Sequence, residues 1–114
     1  MRYMLLIAAD KNAPPPTPAE GQALVQAHGR FADALRAAGK MVVADRLRPD
    51  SDGVRVRLKA GQPQVIDGPF TETKEALGGY YLIECDSKDE AVEWAKKLPL
   101  REHGHVEVRP IWQM

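Results

Sequence analysis

The sequence predicts an α+β fold of the ferredoxin-like split βαβ kind, with two helices on one face of the sheet. Three observations lead there. Two apolar segments, 4–10 and 80–86, echo each other, and each feeds a helix. Each helix opens on a capping signature, Thr17-Pro18-Ala19-Glu20 for the first and Ser87 with Glu90 for the second. Both echoing segments are apolar on both faces of a strand, so each needs cover on two sides and a place at the sheet's centre.

Taken in order, Tyr3 to Ala9 forms the first strand, with Met4, Leu6 and Ala8 on one face and Tyr3, Leu5 and Ile7 on the other. A Pro-rich loop follows. The first helix starts behind Thr17, stops at Gly39 in a left-handed C-terminal position, and carries Leu24, Ala27, Phe31, Leu35 and Ala38 as its buried stripe. Met41 to Leu47 is a strand, residues 49–53 turn, and Val54-Arg55-Val56-Arg57-Leu58 alternates as a half-buried strand with its arginines outward. A short strand around 64–66 follows the turn at Gly61. Asp67-Gly68-Pro69-Phe70 is turn chemistry, and Thr71 to Leu77 reads as a loop with about one helical turn. Tyr80 to Ile83 is the second two-faced strand. The second helix points Ala91, Trp94, Ala95 and Leu98 inward and ends at Pro99, and 105–112 closes the chain as a strand.

Length and composition bound what such a fold can do. With 114 residues the chain is read as one domain, 1–114, whose compact surface would be about 6,200 Å². Sixteen Lys and Arg against sixteen Asp and Glu leave no basic excess for nucleic acid. There is no apolar run long enough to span a membrane, and the N-terminal stretch reads as a strand rather than a signal peptide. One cysteine, Cys85, excludes an internal disulfide and fits a cytoplasmic setting. No cofactor is expected: Gly78 and Gly79 precede a strand rather than opening a helix, and His103 and His105 beside Glu102 and Glu107 lack a fixed third metal ligand. A small monomer cannot cover both faces of its central strands, so the chain is expected to pair as a homodimer, two sheets face to face in a dimeric α+β barrel.

The run Val65-Ile66-Asp67-Gly68-Pro69-Phe70-Thr71-Glu72-Thr73-Lys74-Glu75, continued by Gly78-Gly79-Tyr80-Tyr81-Leu82-Ile83-Glu84, then Glu93-Trp94-Ala95 and Val106-Glu107-Val108-Arg109-Pro110, resembles the YCII-related superfamily. It is most similar to the branch named after its Asp-Gly-Pro-Phe motif, and the resemblance covers nearly the whole chain. It implies the same dimeric barrel. It implies little chemistry: most members of that branch have no established activity, their genes often neighbour those of extracytoplasmic-function sigma factors, some relatives have a proposed His/Asp pair in the cleft, and one acts as a dehydrochlorinase.

The candidate residues follow from both readings. His28 falls about 40° from the centre of the first helix's apolar stripe, where it reads either as a general base facing the sheet or as a core-edge histidine bonded to backbone. Asp67 reads as its carboxylate partner or as the cap of its own turn. The resemblance places the acidic partner on the strand after the first helix, which here offers Asp45, so the pair stays open between Asp45 and Asp67. Arg46 is available to attract a small organic anion, and Gly68 would let a ligand approach the backbone. The expected function is proton transfer of the lyase or isomerase kind on a small molecule in a dimer cleft. The alternative is a non-catalytic ligand-binding or regulatory module.

Overall fold

A computed structural model describes residues 1–70 and 73–113. The chain runs β1 (Arg2–Asp10), α1 (Pro18–Ala37), β2 (Met41–Arg46), a short 3-10 turn (Asp50–Asp52), β3 (Val54–Lys59), β4 (Gln62–Asp67), β5 (Glu75–Glu84), α2 (Lys88–Lys96) and β6 (His105–Pro110). The main sheet is four-stranded in the order β2-β5-β1-β6, with every neighbouring pair antiparallel. This is the ferredoxin-like order, and the two echoing strands, β1 and β5, are neighbours at its centre. Between β2 and β5 the chain inserts a separate hairpin, β3–β4.

Local chemistry sets the helix ends. The Thr17 hydroxyl accepts from the Glu20 amide at 3.2 Å, the Glu20 carboxylate accepts from the Thr17 amide at 3.4 Å, and Pro18 occupies the first turn. At the other end Gly39 takes φ +72°, which lets the Lys40 amide reach the Leu35 carbonyl and the Gly39 amide the Arg36 carbonyl in a Schellman arrangement. Helix α2 forms only half the expected capping box. Ser87 accepts from the Glu90 amide, but the Glu90 carboxylate bonds the Asp86 amide and Lys40 instead of the Ser87 amide.

Both helices lie on one face. Phe31 and Leu35 from α1, with Ala91, Ala95 and Leu98 around α2, bury against Tyr3, Leu5, Tyr81 and Ile83 of the central strands. Ala38, expected in the α1 stripe, is exposed because it already caps the helix as the chain turns away. On the opposite face Met4, Leu6, Tyr80 and Leu82 form a half-buried patch that no helix among the described residues covers.

Two sequence expectations need correction here. Glu75, Ala76 and Leu77 are not loop: they extend β5 and pair with Asp10, Ala9 and Ala8, beyond a bulge at which Gly78 is skipped in the register with β1. Thr71 and Glu72 of the expected loop lie outside the described residues. Strand β3 is not half-buried either. It pairs only with β4 among the described residues, so Val54, Val56 and Leu58 are 56%, 67% and 74% exposed. The alternation that suggested burial is real, but among the described residues its apolar side chains stay exposed.

Candidate functional site

Helix α1 sets His28 over β5. Its Nδ1 lies 2.8 Å from the hydroxyl of Tyr81, and the two rings stack at 9° with centroids 6.0 Å apart. Phe31, three residues on, meets Tyr81 edge-on at 5.1 Å and Trp94 at 6.2 Å. The phenol is therefore fixed by an aromatic neighbour of its own helix partner, and its position fixes the imidazole.

Both groups stay neutral at ordinary pH. Burial lowers the His28 pKa, and the positive charge of Arg46 lowers it further, against a smaller opposing pull from the Pro99 carbonyl. Burial likewise raises the Tyr81 pKa, with a partial offset from Arg36. A carbonyl can only accept, and Nδ1 already faces the phenol. We assign the ring proton to Nε2, toward Pro99, and the hydrogen bond at Nδ1 to donation by the Tyr81 O–H.

Neither candidate aspartate hydrogen-bonds to this imidazole. Asp45 pairs in register with Tyr80, and its carboxylate accepts the Tyr80 hydroxyl at 2.6 Å on the sheet face away from the helices. That carboxylate also raises the Tyr80 pKa. Strand alternation is the reason for the split: Tyr80 and Tyr81 are neighbours, so their hydroxyls serve opposite faces, one for Asp45 and one for His28. Asp67 ends β4 opposite Val54, at the root of the hairpin. Arg46 pairs with Gly79 and shares the helix-side parity of Ala44, which brings its charge to bear on His28.

Gly68 has a different role from the expected one. A Cβ there would lie 1.9 Å from the Asp50 carbonyl oxygen, so what approaches this glycine is the chain's own backbone. Asp50 belongs to a polar knot that sequence reasoning missed. The Lys11 ammonium donates to the Asp50 carboxylate at 2.7 Å, to the Phe70 carbonyl at 2.6 Å and to the Thr73 hydroxyl at 3.3 Å. Lys11 holds the Asp50 carboxyl below its usual range. Arg55 lies 3.8 Å over the Phe70 ring. These contacts join residues 39 and 59 positions apart, a spacing no local pattern announces. An open cleft of about 430 Å³ adjoins the knot, with Leu47, Arg48, Phe70 and Leu77 in its wall. Elsewhere, His105 faces Glu75 at 3.7 Å across β1, on the bare face of the sheet.

No helix among the described residues is long and apolar enough to cross a membrane. Over 76 residues the chain is 46% identical to an uncharacterised protein of Rhizobium meliloti (strain 1021), a match that takes in 65% of this chain and 61% of that protein. The chain thus spans under two thirds of that relative's length. The YCII-related domain, by contrast, matches residues 1–114, and with the β2-β5-β1-β6 sheet beneath two helices the chain belongs to the YCII-related family.

Proposed function

We propose that this protein binds a small organic anion beside α1 and β2 and moves a proton on it, chemistry of the lyase or isomerase kind. One observation carries the reading: a neutral, half-buried imidazole held 2.8 Å from a phenol, within the field of Arg46. Arg46 supplies the attraction for a carboxylate or similar anion. The phenol oxygen of Tyr81 takes a proton from an acidic carbon of the ligand as its own proton passes to Nδ1 of His28. The resulting imidazolium donates through Nε2 toward the Pro99 carbonyl, and the reverse transfer returns the proton. Tyr81 and Pro99 thus take the orienting role that sequence reasoning gave to an aspartate. The protein works as a cytoplasmic homodimer in which the bare face of the main sheet meets its counterpart in a second copy.

The test is a thermal-shift screen of small mono- and dicarboxylates on wild type, His28→Ala and Arg46→Ala. A ligand that stabilises wild type and loses its effect in both variants supports the site. Equal stabilisation of all three, or no ligand at all, overturns it. Turnover of the ligand then separates the enzyme from the second reading, a ligand-binding regulatory module without catalysis. That second reading draws on the partner of His28, the Tyr81 phenol rather than Asp45 or Asp67: such an imidazole suits recognition as well as proton transfer.

A further inference from the structure

The β3–β4 hairpin forms a two-stranded sheet of its own beside the main sheet. Its register puts Val54, Val56 and Leu58 on one face, with Val65 opposite Val56 and Pro63 opposite Leu58. The other face carries Arg55, Arg57 and Lys59. The arm is thus amphipathic, yet Val65 is 68% exposed and Leu58 74%. A two-stranded hairpin alone in water is marginal, and its apolar face gains stability only against another surface.

The arm is nevertheless firmly built. Ala60 at φ 52° and Gly61 at φ 78° make the tip a type I′ turn, which matches strand twist. Its root is tied by the Gly68 amide donating to the Gly53 carbonyl at 2.9 Å and by the knot of Lys11, Asp50 and Phe70. Such an arm presents its valines in a fixed position, which lowers the ordering cost of docking.

The surface area indicates what covers it. The chain exposes 8191 Å², about 2,000 Å² more than the roughly 6,200 Å² of a compact protein of this mass. Its radius of gyration is 16.0 Å, where about 13 Å is expected. An excess of that size per chain is in the range that an extensive homodimer interface removes. The chain also has an unmatched apolar surface of its own, Met4, Leu6, Val43 and Leu82 on the bare sheet face, and its balanced charge sets up no repulsion between copies.

We propose that the apolar face of the β3–β4 arm docks on a second copy of this chain, each arm crossing to the partner so that Val54, Val56, Leu58 and Val65 are buried between copies. This rests on the homodimer reading above and adds a second contact to it. The experiment is sedimentation equilibrium on the full chain, comparing wild type with Val56→Glu, Val65→Glu, Val56→Thr and, on the arm's other face, Arg57→Glu. The glutamate variants should weaken dimerisation by about 100-fold or more, Val56→Thr by less, and Arg57→Glu by under about threefold. Because Val56 is exposed in the single chain, circular dichroism of the monomeric variants should match wild type. Amide exchange over residues 54–67 should slow as wild type is concentrated through its dimer dissociation constant. A wild-type monomer at all concentrations overturns the dimer reading and this one together. A wild-type dimer that Val56→Glu and Val65→Glu leave intact overturns the arm alone, as does arm-dependent binding to phosphatidylglycerol vesicles without any effect on dimerisation.

Discussion

The imidazole of His28 and the phenol of Tyr81 lie nearly parallel, 9° apart, with 2.8 Å between Nδ1 and the hydroxyl oxygen. A donor at Nδ1 stabilises the neutral ring. Tyr81→Phe removes that donor, so the His28 pKa should rise toward 6.5 and stability should drop by about 1 kcal/mol. NMR titration of the His28 ring reads the first and urea unfolding the second. A pKa that falls instead would mean that Nδ1 carries the proton.

Asp45→Asn offers the complementary measurement. Its carboxylate is bonded to Tyr80 on the far face, so the substitution should leave the His28 titration where it is and lower the Tyr80 pKa. A clear drop in the His28 pKa would restore the His/Asp pair.

The pH dependence of stability has a definite sign. The native His28 pKa lies below its unfolded value of about 6.5, so between the two the unfolded chain binds more protons. Stability should therefore be full above about pH 6.5 and fall as pH drops through that window. Arg46→Ala should narrow the window by raising the native value. Asp50 adds a second, more acidic loss: its pairing with Lys11 stabilises above about pH 4 and fades below it. Lys11→Met should remove the lower step and keep the upper one, as judged by urea midpoints across pH.

Two glycines should respond differently to alanine. At Gly68 the new methyl would strike the Asp50 carbonyl, and a cost of about 2–4 kcal/mol is expected. At Gly61 the space is open but φ is +78°, so the cost should be about 1 kcal/mol and confined to the hairpin tip. Thermal unfolding distinguishes them, and equal effects would refute the steric reading of Gly68.

Cys85 is buried, and burial, with the carboxylate of Glu90 next in effect, pushes its thiol pKa up to about 11. Alkylation by iodoacetamide at pH 8 should be far slower in the native protein than in urea, by more than about 100-fold. Comparable rates would show that the core opens readily around β5.

The frame of this fold was legible because its signals are local. Thr17 and Glu20, Gly39, and the two-faced runs in β1 and β5 each state their role within a few residues. The site was legible only in part. Helical phase was enough to turn His28 toward the sheet, but its partner depended on which of two adjacent tyrosines faces inward, and that is set by the β1–β5 register. The Lys11–Asp50–Phe70 knot depends on where the hairpin's root lands against the end of β1. The pattern of β3 revealed an apolar face correctly and its burial wrongly, because periodicity records which side avoids water and is silent on whose surface shields it.

Residue 54 leaves the frame opposite residue 67, which returns to it, and a single backbone bond from Gly68 to Gly53 closes the opening. Whatever lies beyond that opening contributes no strand to the four-stranded sheet. Residues 54–67 therefore behave as an exchangeable cassette: their length and sequence can drift, or be replaced by design, while β2 and β5 keep their pairing. Changes at the tip of that cassette leave the contact between His28 and Tyr81 untouched.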